Sequence, residues 1–127
     1  MFLRDFLIIA LNSLQQKKQM PSTQQHHCII ILWEFFVKKE CEAQFFKAYA
    51  AEGTWGKFFK KGKGFIRTEL LKDAENPLRY VTIDYWNTVE EYERFRKEHL
   101  SEYQRIDEHN EKLTERENFI GIFTYCK

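Results

Sequence analysis

Residues 79–91 read Arg-Tyr-Val-Thr-Ile-Asp-Tyr-Trp-Asn-Thr-Val-Glu-Glu, and this stretch joins a strand directly to a helix. Positions 79–86 are rich in β-branched and aromatic residues, which is typical of a strand. Thr88 and Glu91 have the spacing of a capping box, in which each side chain binds a backbone N–H near the start of a helix. The stretch therefore predicts a strand that is followed at once by a helix.

Further elements lie on both sides of this junction. A first helix is expected over residues 40–52, with Gly53 as its C-terminal stop, and a long second helix after Thr88. The glycine-punctuated segment 54–64 between them predicts a loop that folds back over the protein, because it carries three large aromatic residues. The predicted strands are residues 28–37, 65–72, 79–86 and 117–125. The order β-α-β-β-α-β predicts a ferredoxin-like α+β fold with a four-stranded antiparallel sheet.

The length of 127 residues fits one domain and a short tail. Residues 28–127 are predicted to form that domain, and residues 1–27 an N-terminal tail. The tail combines a short apolar run with a polar, turn-forming stretch, so we expect an arm, a linker or residues upstream of a true start at Met20. A secretory signal in residues 1–15 is the alternative, although the basic start and small-residue cleavage site are missing.

The charge balance gives no electrostatic argument for binding to nucleic acid. Lys and Arg number 20 against 19 acidic residues, for a net charge of +1. No run approaches the roughly 20 apolar residues that span a bilayer, so no membrane role is expected. Three cysteines without a Cys-x-x-Cys spacing favour a reduced, cytoplasmic location over a disulfide-built secreted domain or a zinc site. No metal and no cofactor are predicted, since no metal-binding, phosphate-binding or dinucleotide-binding motif is present.

The aromatic content is high, at 17% of the residues. Such an excess indicates a bulky core, a surface that a partner covers, or a pocket for a flat ligand, because aromatic side chains bury large apolar areas. Both a ligand pocket and plain packing remain open for the residues concerned. The candidate pocket residues are Trp33, Tyr49, Trp55, Phe58, Phe59, Tyr85, Trp86 and Phe95.

One face of the predicted sheet combines large apolar groups with charges. The helices are expected to cover one face of the sheet, and the other is here called the open face. We expect Val81, Ile83 and Tyr85 to face the helices, so the alternate residues of the third strand lie on the open face. Exposed aromatic residues there would form a larger apolar patch than monomers usually carry, so two copies are predicted to pair through this face. The polar residues predicted to face the second copy are Glu34, Arg67, Glu69, Thr82 and Asp84.

Several runs of this sequence resemble the antibiotic biosynthesis monooxygenase-like domains over about residues 29–125. The runs are Trp33–Val37, Phe45 to Phe59 through Gly53-Thr54-Trp55, Gly64-Phe65 with Thr68-Glu69-Leu70, Arg79–Trp86, and Tyr103 to Phe123 through Leu113-Thr114 and Ile120-Gly121. The resemblance implies a dimeric α+β barrel. It also implies a superfamily that includes cofactor-independent oxygenases of aromatic polyketides, haem-degrading enzymes and domains without known activity. The first strand lacks the Asn of the haem-degrading enzymes, so haem degradation is not expected.

In the oxygenases of this family, a pocket between sheet and helices is lined by Trp, Tyr, Asn and Arg. Trp86, Tyr85, Tyr103 and Arg67 are compatible residue types in this sequence. His99 and Tyr103 are the candidate catalytic pair, since imidazole titrates near neutral pH and the two residues are one helical turn apart. A stripe of ordinary hydrogen-bonding residues is the alternative explanation.

The resulting hypothesis is a monooxygenase-like homodimer that acts on a small aromatic or enolic compound without metal or flavin. The alternative is a non-catalytic dimeric domain that binds an apolar small molecule, or a structural member of the fold. A cavity beside Trp86 with His99 and Tyr103 facing it would favour the enzyme. A filled interior with His99 exposed would favour the alternative.

Overall fold

The four strands form one antiparallel sheet in the computed structural model, which describes residues 28–126. The strands are β1 (Ile29–Val37), β2 (Phe65–Lys72), β3 (Arg79–Trp86) and β4 (Thr114–Phe123). They lie side by side in the order β2-β3-β1-β4, so the ferredoxin-like α+β fold is confirmed. The tail predicted for residues 1–27 lies outside the described residues.

The helices all lie in the two β-α-β connections. They are α1 (Glu42–Tyr49), α2 (Thr54–Phe59), α3 (Val89–Glu98) and α4 (Leu100–Asn110), and single 3-10 turns precede α1 and follow α4 (Lys39–Cys41 and Glu111–Leu113). The predicted cap of α3 is present, because the Glu91 backbone N–H donates to the Thr88 hydroxyl oxygen at 3.0 Å. No helix among the described residues is long and apolar enough to cross a membrane.

Two helical predictions differ from the structure. The first helix ends at Tyr49, and Gly53 begins α2 with an ordinary negative φ of −85° instead of stopping α1. The long second helix is divided at His99, whose ψ of 32° is not helical. His99 still joins the two pieces, since its N–H donates to the Phe95 carbonyl oxygen at 3.0 Å and its own carbonyl accepts from Tyr103 at 2.9 Å.

The strand register determines which side chains of β3 face the helices. Tyr80 lies opposite the buried Phe35 of β1, whereas Val81 lies opposite the half-buried Glu34. Side chains directly opposite one another share a face, so Tyr80 points to the helices and Val81 away from them. The prediction for this strand is therefore wrong by one residue: the helix-facing residues are Tyr80, Thr82, Asp84 and Trp86, and the open face carries Val81, Ile83 and Tyr85.

The edge strand β4 pairs with β1 irregularly. Its register shifts between Leu32 and Trp33 and again between Phe36 and Val37. Gly121 is next to the first shift and has a φ of +156°, at the margin of the region that favours glycine. These irregularities interrupt the regular ladder of hydrogen bonds between β1 and β4.

Candidate functional site

A continuous cluster of aromatic side chains, here called the aromatic interior, fills the space between the sheet and the helices. Seven of the eight predicted pocket residues belong to it, and each of them is buried. These seven are Trp33, Tyr49, Trp55, Phe58, Phe59, Trp86 and Phe95. The sequence pattern therefore identified side chains that meet in space, although it left open whether they hold a ligand.

Helix α2 covers the outer side of the aromatic interior. Trp55, Phe58 and Phe59 lie on one side of this short helix because they are three and four residues apart. The ring centre of Trp55 is 5.1 Å from that of Tyr103, and Phe58 is 4.8 Å from Phe95. The segment predicted as a folded-back loop is thus a helical cover, and its aromatic side chains separate the interior from solvent.

The rings are in direct contact beside Trp86. Its ring centre is 5.3 Å from that of Phe95 and 5.8 Å from that of Phe59. Gly62 is pressed against the same rings, since a Cβ added there would lie 2.6 Å from a Phe95 ring carbon and 2.8 Å from a Trp86 ring carbon. Side chains therefore occupy this region, where the enzyme hypothesis expected open space.

A cation lies inside this apolar environment. Arg96 on α3 is only 1% exposed, and its guanidinium carbon is 4.3 Å from the ring centre of Tyr103 and 6.0 Å from that of Tyr92. The hydroxyl oxygens of Tyr92 and Tyr103 are 3.5 Å apart. A guanidinium over an aromatic face is a favourable cation–π arrangement, stronger where water is excluded. This site combines positive charge, two phenols and a dry environment.

Other polar groups are buried on the helix-facing side of the sheet and on the helices. Asp84 of β3 accepts a 2.5 Å hydrogen bond from the Thr68 hydroxyl of β2. In the part of the chain that the structure describes, nine polar or charged residues are buried: Thr68, Thr82, Asp84, Glu93, Arg96, Asp107, Asn110, Thr114 and Glu117. Such groups are costly to bury unless they are hydrogen-bonded or paired, so the space between the sheet and the helices is not purely apolar.

The two residues of the predicted catalytic pair differ in their surroundings. Tyr103 is fully buried in the aromatic interior, whereas His99 is half-buried at its margin. The imidazole centre of His99 lies 4.7 Å from the Phe95 ring centre and 6.0 Å from that of Phe58. Tyr103 also contacts Phe58, at 6.1 Å. The structure thus brings both residues to the same phenylalanine, with His99 on the solvent side.

Tyr85 is the one predicted pocket residue outside the aromatic interior. It lies on the open face of the sheet, where the Arg67 guanidinium carbon is 3.8 Å from its ring centre and its hydroxyl donates to Glu69 at 3.1 Å. Burial, followed by the hydrogen bond to Glu69, raises the pKa of Tyr85 above its usual value. The assignment of Tyr85 to the pocket is wrong because of the one-residue error on β3. Arg67 of β2, which was named as a residue type compatible with the pocket, lies beside Tyr85 on the open face.

Three of the five polar residues predicted for the open face are there, and two are not. Glu34, Arg67 and Glu69 lie on that face, but Thr82 and Asp84 are buried under the helices. Their assignment to a dimer contact is therefore wrong, for the reason given for β3. Alternate side chains of a strand point to opposite faces, so an error of one position assigns every side chain of the strand to the wrong face.

Glu34 is the centre of the polar network on the open face. It accepts hydrogen bonds from Arg79 at 2.6 Å and from Asn118 at 2.8 Å. The hydrogen bond from Asn118, then that from Arg79, lowers the pKa of Glu34 below its usual value, so the carboxylate is charged at neutral pH. These polar groups are satisfied within one chain, among apolar neighbours such as Leu32 and Ile83.

Sequence reasoning missed Arg96 as a site residue, although a signal for it exists. Arg96 follows Tyr92 by four residues and precedes Tyr103 by seven, so it falls on the apolar stripe of the helix. An arginine on such a stripe indicates either that the aliphatic part of its side chain packs along the core or that its charge has a function. The buried Asp107 is four residues after Tyr103 on the same side of α4 and carries the same signal.

Comparison with known proteins agrees with this architecture. The family model described as "Antibiotic biosynthesis monooxygenase" matches residues 28–106. Three solved structures share the fold, and each is aligned over about four-fifths of this chain and nearly all of its own. SnoaB, a cofactor-independent oxygenase from Streptomyces nogalater, has a TM-score of 0.59 at 21% identity, covering 80% of this chain and 95% of its own.

The other two structures share the fold at lower sequence identity. A Bordetella bronchiseptica protein assigned to the antibiotic biosynthesis monooxygenases gives a TM-score of 0.61 at 20% identity, covering 80% of this chain and 97% of its own. PA3566 from Pseudomonas aeruginosa gives 0.54 at 16% identity, covering 82% and 97%. No curated protein sequence matches the chain. Because the family model covers well over half of its length, the chain belongs to the antibiotic biosynthesis monooxygenase family.

Proposed function

We propose that the protein is a monooxygenase that oxidises a small aromatic or enolic compound without metal or flavin. The observation that carries the proposal is the buried Arg96 guanidinium beside Tyr103, enclosed by aromatic rings. Membership of the family and the fold shared with a cofactor-independent oxygenase support the same conclusion.

The chemistry requires a substrate that is itself the reductant. A phenol or enol loses a proton, and the resulting anion passes an electron to O₂. Oxygen then adds to a carbon that bears a hydrogen, and loss of that hydrogen with cleavage of the O–O bond leaves a carbonyl on this carbon. The second oxygen atom leaves as water with the two hydrogens that the substrate has lost, one from its hydroxyl group and one from the carbon, so no external reductant is needed. Arg96 stabilises the anion by its charge, which acts strongly in an interior that excludes water. The Tyr92 and Tyr103 hydroxyls, 3.5 Å apart, are placed to hold a proton between them.

His99 is the general base in this proposal. Its position at the solvent side of the aromatic interior allows it to exchange protons with water, while its ring contacts Phe58 and Phe95. Imidazole is the side chain that most often serves as a general base in enzymes. Since the rings are in contact, the proposal requires them to separate before a substrate can enter.

Oxygen uptake with a panel of phenols and hydroquinones tests the proposal. We expect substrate-dependent uptake and, with the phenols, one labelled oxygen atom in the product when labelled O₂ is supplied. A hydroquinone that is oxidised only to its quinone gains no oxygen atom and does not count as monooxygenation. Arg96→Lys should lower the rate by about 10²-fold because the planar guanidinium is lost, and His99→Ala should lower it by about 10²-fold or more. Arg94→Lys, on the exposed side of the same helix, is the matched control. Absence of uptake with every compound would reject the proposed activity.

A non-catalytic dimeric domain is the second candidate function. The contacts among the rings at Trp86 and Gly62 favour it, because a close-packed interior needs no ligand for its stability. A fluorescence titration distinguishes the two candidates. Quenching of Trp33, Trp55 and Trp86 by an aromatic compound, without oxygen uptake, would favour a binding domain.

The proposal includes the assembly and the location of the protein. Two copies pair through the open face of the sheet, where apolar residues surround the network of Glu34 and Arg79. The location is cytoplasmic, which is supported by three cysteines that form no disulfide in the described part of the chain.

A further inference from the structure

A separate cavity of about 290 Å³ opens on the helical side of the protein, between α1 and the end of α4. Lys47 of α1, His109 of α4 and Lys112 of the following 3-10 turn line it, together with the hydroxyl-bearing Thr54 at the start of α2. No acidic residue lines this cavity. Its volume is near the lower end of the range for small-molecule sites.

The two lysines are available to a ligand. Within residues 28–126, neither Lys47 nor Lys112 takes part in an ion pair, and both are exposed. By contrast, Lys60, Lys61 and Lys72 each pair with a glutamate at 2.9 to 3.2 Å. Two ammonium groups that make no ion pair, at a cavity that no acidic residue lines, favour an anion there.

The floor of the cavity is fixed and partly apolar. Ala48 and Leu113 are buried there, and the buried Asn110 is tied to its helix by a 3.0 Å hydrogen bond from its side-chain amide to the Ile106 carbonyl oxygen. The floor therefore does not need to rearrange to accept a ligand. It presents methyl groups beneath a ring of hydrogen-bond donors.

We propose that this cavity binds a small phosphate monoester that carries an apolar group. Lysine ammonium groups bind phosphate as point charges, and two of them at one cavity match the charge of about −2 that a phosphate monoester carries near neutral pH, against −1 for a carboxylate. Lys47 and Lys112 would contact the phosphate oxygens, with Thr54 and His109 as further donors, and Ala48 and Leu113 would contact the apolar group. The site is outside the aromatic interior, so it is independent of the proposed oxygenase activity.

Binding of phenyl phosphate, followed through backbone amide signals by NMR at constant ionic strength, tests this site. We expect shifts at residues 47–48, 54 and 109–113, and weaker binding of inorganic phosphate, which cannot contact the floor. The double variant Lys47→Gln/Lys112→Gln should bind about ten-fold more weakly or worse, equivalent to about 1.4 kcal/mol. The control variant Lys63→Gln/Lys97→Gln makes the same charge change on exposed lysines elsewhere and should bind like the wild type.

Three results would overturn the proposal. Shifts confined to other residues would place the ligand elsewhere. An equal loss of phenyl phosphate binding in both double variants would show that only the net charge of the protein matters. Tighter binding of benzoate than of phenyl phosphate would assign the cavity to carboxylates. Amide spectra of the variants without ligand show whether each is folded, so a loss of binding is attributable to the lysines.

Discussion

The guanidinium carbon of Arg96 lies 4.3 Å from the centre of the Tyr103 ring, and both side chains are buried. An ionised group in an apolar interior costs several kcal/mol unless neighbouring groups compensate it. The buried Arg96 is therefore compatible with a stable fold only because neighbouring groups compensate for its lost hydration. At the same time it places a permanent positive charge where a substrate anion would be formed, and this links stability to the proposed chemistry.

Replacing Arg96 should destabilise the protein much more than replacing its neighbour Arg94. Arg96→Ala removes a large buried side chain beside Tyr103, and we expect it to lower the free energy of unfolding by about 2–4 kcal/mol. Arg94 is exposed on the same helix, so Arg94→Ala should change that free energy by about 0.5 kcal/mol or less. Urea unfolding followed by tryptophan fluorescence measures both. Equal effects would show that Arg96 does not pack as described.

Gly62→Ala should destabilise the contact between the segment after α2 and the aromatic interior. The added methyl group would lie 2.6 Å from a Phe95 ring carbon, so the rings must move, at a cost of about 1–3 kcal/mol. The adjacent Lys63 is exposed, and Lys63→Ala should be close to neutral. Thermal unfolding of the two variants compares them. A Gly62→Ala variant as stable as the wild type would mean that this interior has room for a methyl group.

Loss of the α3 cap should cost about 1 kcal/mol. Thr88→Ala leaves the Glu91 backbone N–H without the hydroxyl oxygen that now accepts from it at 3.0 Å. Ser101→Ala, on the exposed side of α4, removes a hydroxyl that makes no cap and is the control. Unfolding in urea gives the two differences in free energy. If the two variants lost equal stability, the capping interaction would not contribute to the fold.

The stability of the protein should depend on the ionisation of Glu34. Its pKa in the folded state is below the ordinary value of 4.5 because Asn118 and Arg79 donate hydrogen bonds to it. The stabilisation is therefore complete above pH 4.5 and is lost as the pH falls through the lowered pKa. We expect Glu34→Gln to unfold more easily than the wild type at neutral pH, and the difference to shrink in acid.

Chemical unfolding from pH 7 down to about pH 3, at one protein concentration, measures this pH dependence. Glu108→Gln, at an exposed position of α4, makes the same charge change and should follow the wild-type profile. A Glu34→Gln profile parallel to that of the wild type would show that Glu34 has the same pKa in the folded and unfolded states.

A charge on the open face of the sheet should separate the proposed dimer. Ile83→Lys places an ammonium group on that face, and sedimentation velocity should then show a monomer where the wild type shows a dimer. Phe46→Lys is the control, because Phe46 is 60% exposed on α1, on the helical side of the protein. Circular dichroism confirms that each variant is folded. A wild-type monomer would contradict the proposed pairing.

The sequence predicted the elements better than their orientation. The bounds of β2 and β3 were predicted correctly, since Gly64, Pro77 and Asn87 mark turns next to them. The side of the sheet to which each residue of β3 points was not predicted correctly. Val81 and Ile83 are as apolar as a core strand requires, and only the pairing with β1 shows that Thr82 and Asp84 lie underneath the helices. Hydrophobic patterning cannot distinguish two faces that both carry apolar residues.

The candidate site shows the same limit. Seven aromatic residues of the interior were identified, since large aromatic side chains are buried wherever the fold allows. Arg96 was not, because its burial depends on Tyr92 and Tyr103, which only the tertiary structure brings around it. The break at His99 was also missed, as neither neighbour is a glycine or a proline.

The two register shifts of β4 have a consequence for how copies of this chain can associate. An outer strand with a regular ladder of N–H and C=O groups would accept a strand from another molecule, and this type of pairing can repeat without limit. On β4 the ladder is interrupted twice, beside Leu32 and beside Phe36. Pairing of this edge with a strand from another molecule is therefore disfavoured, whereas the proposed pairing through the open face would close after two molecules. Irregular hydrogen bonding at this edge thus works against repeated strand addition in a chain that is rich in aromatic residues.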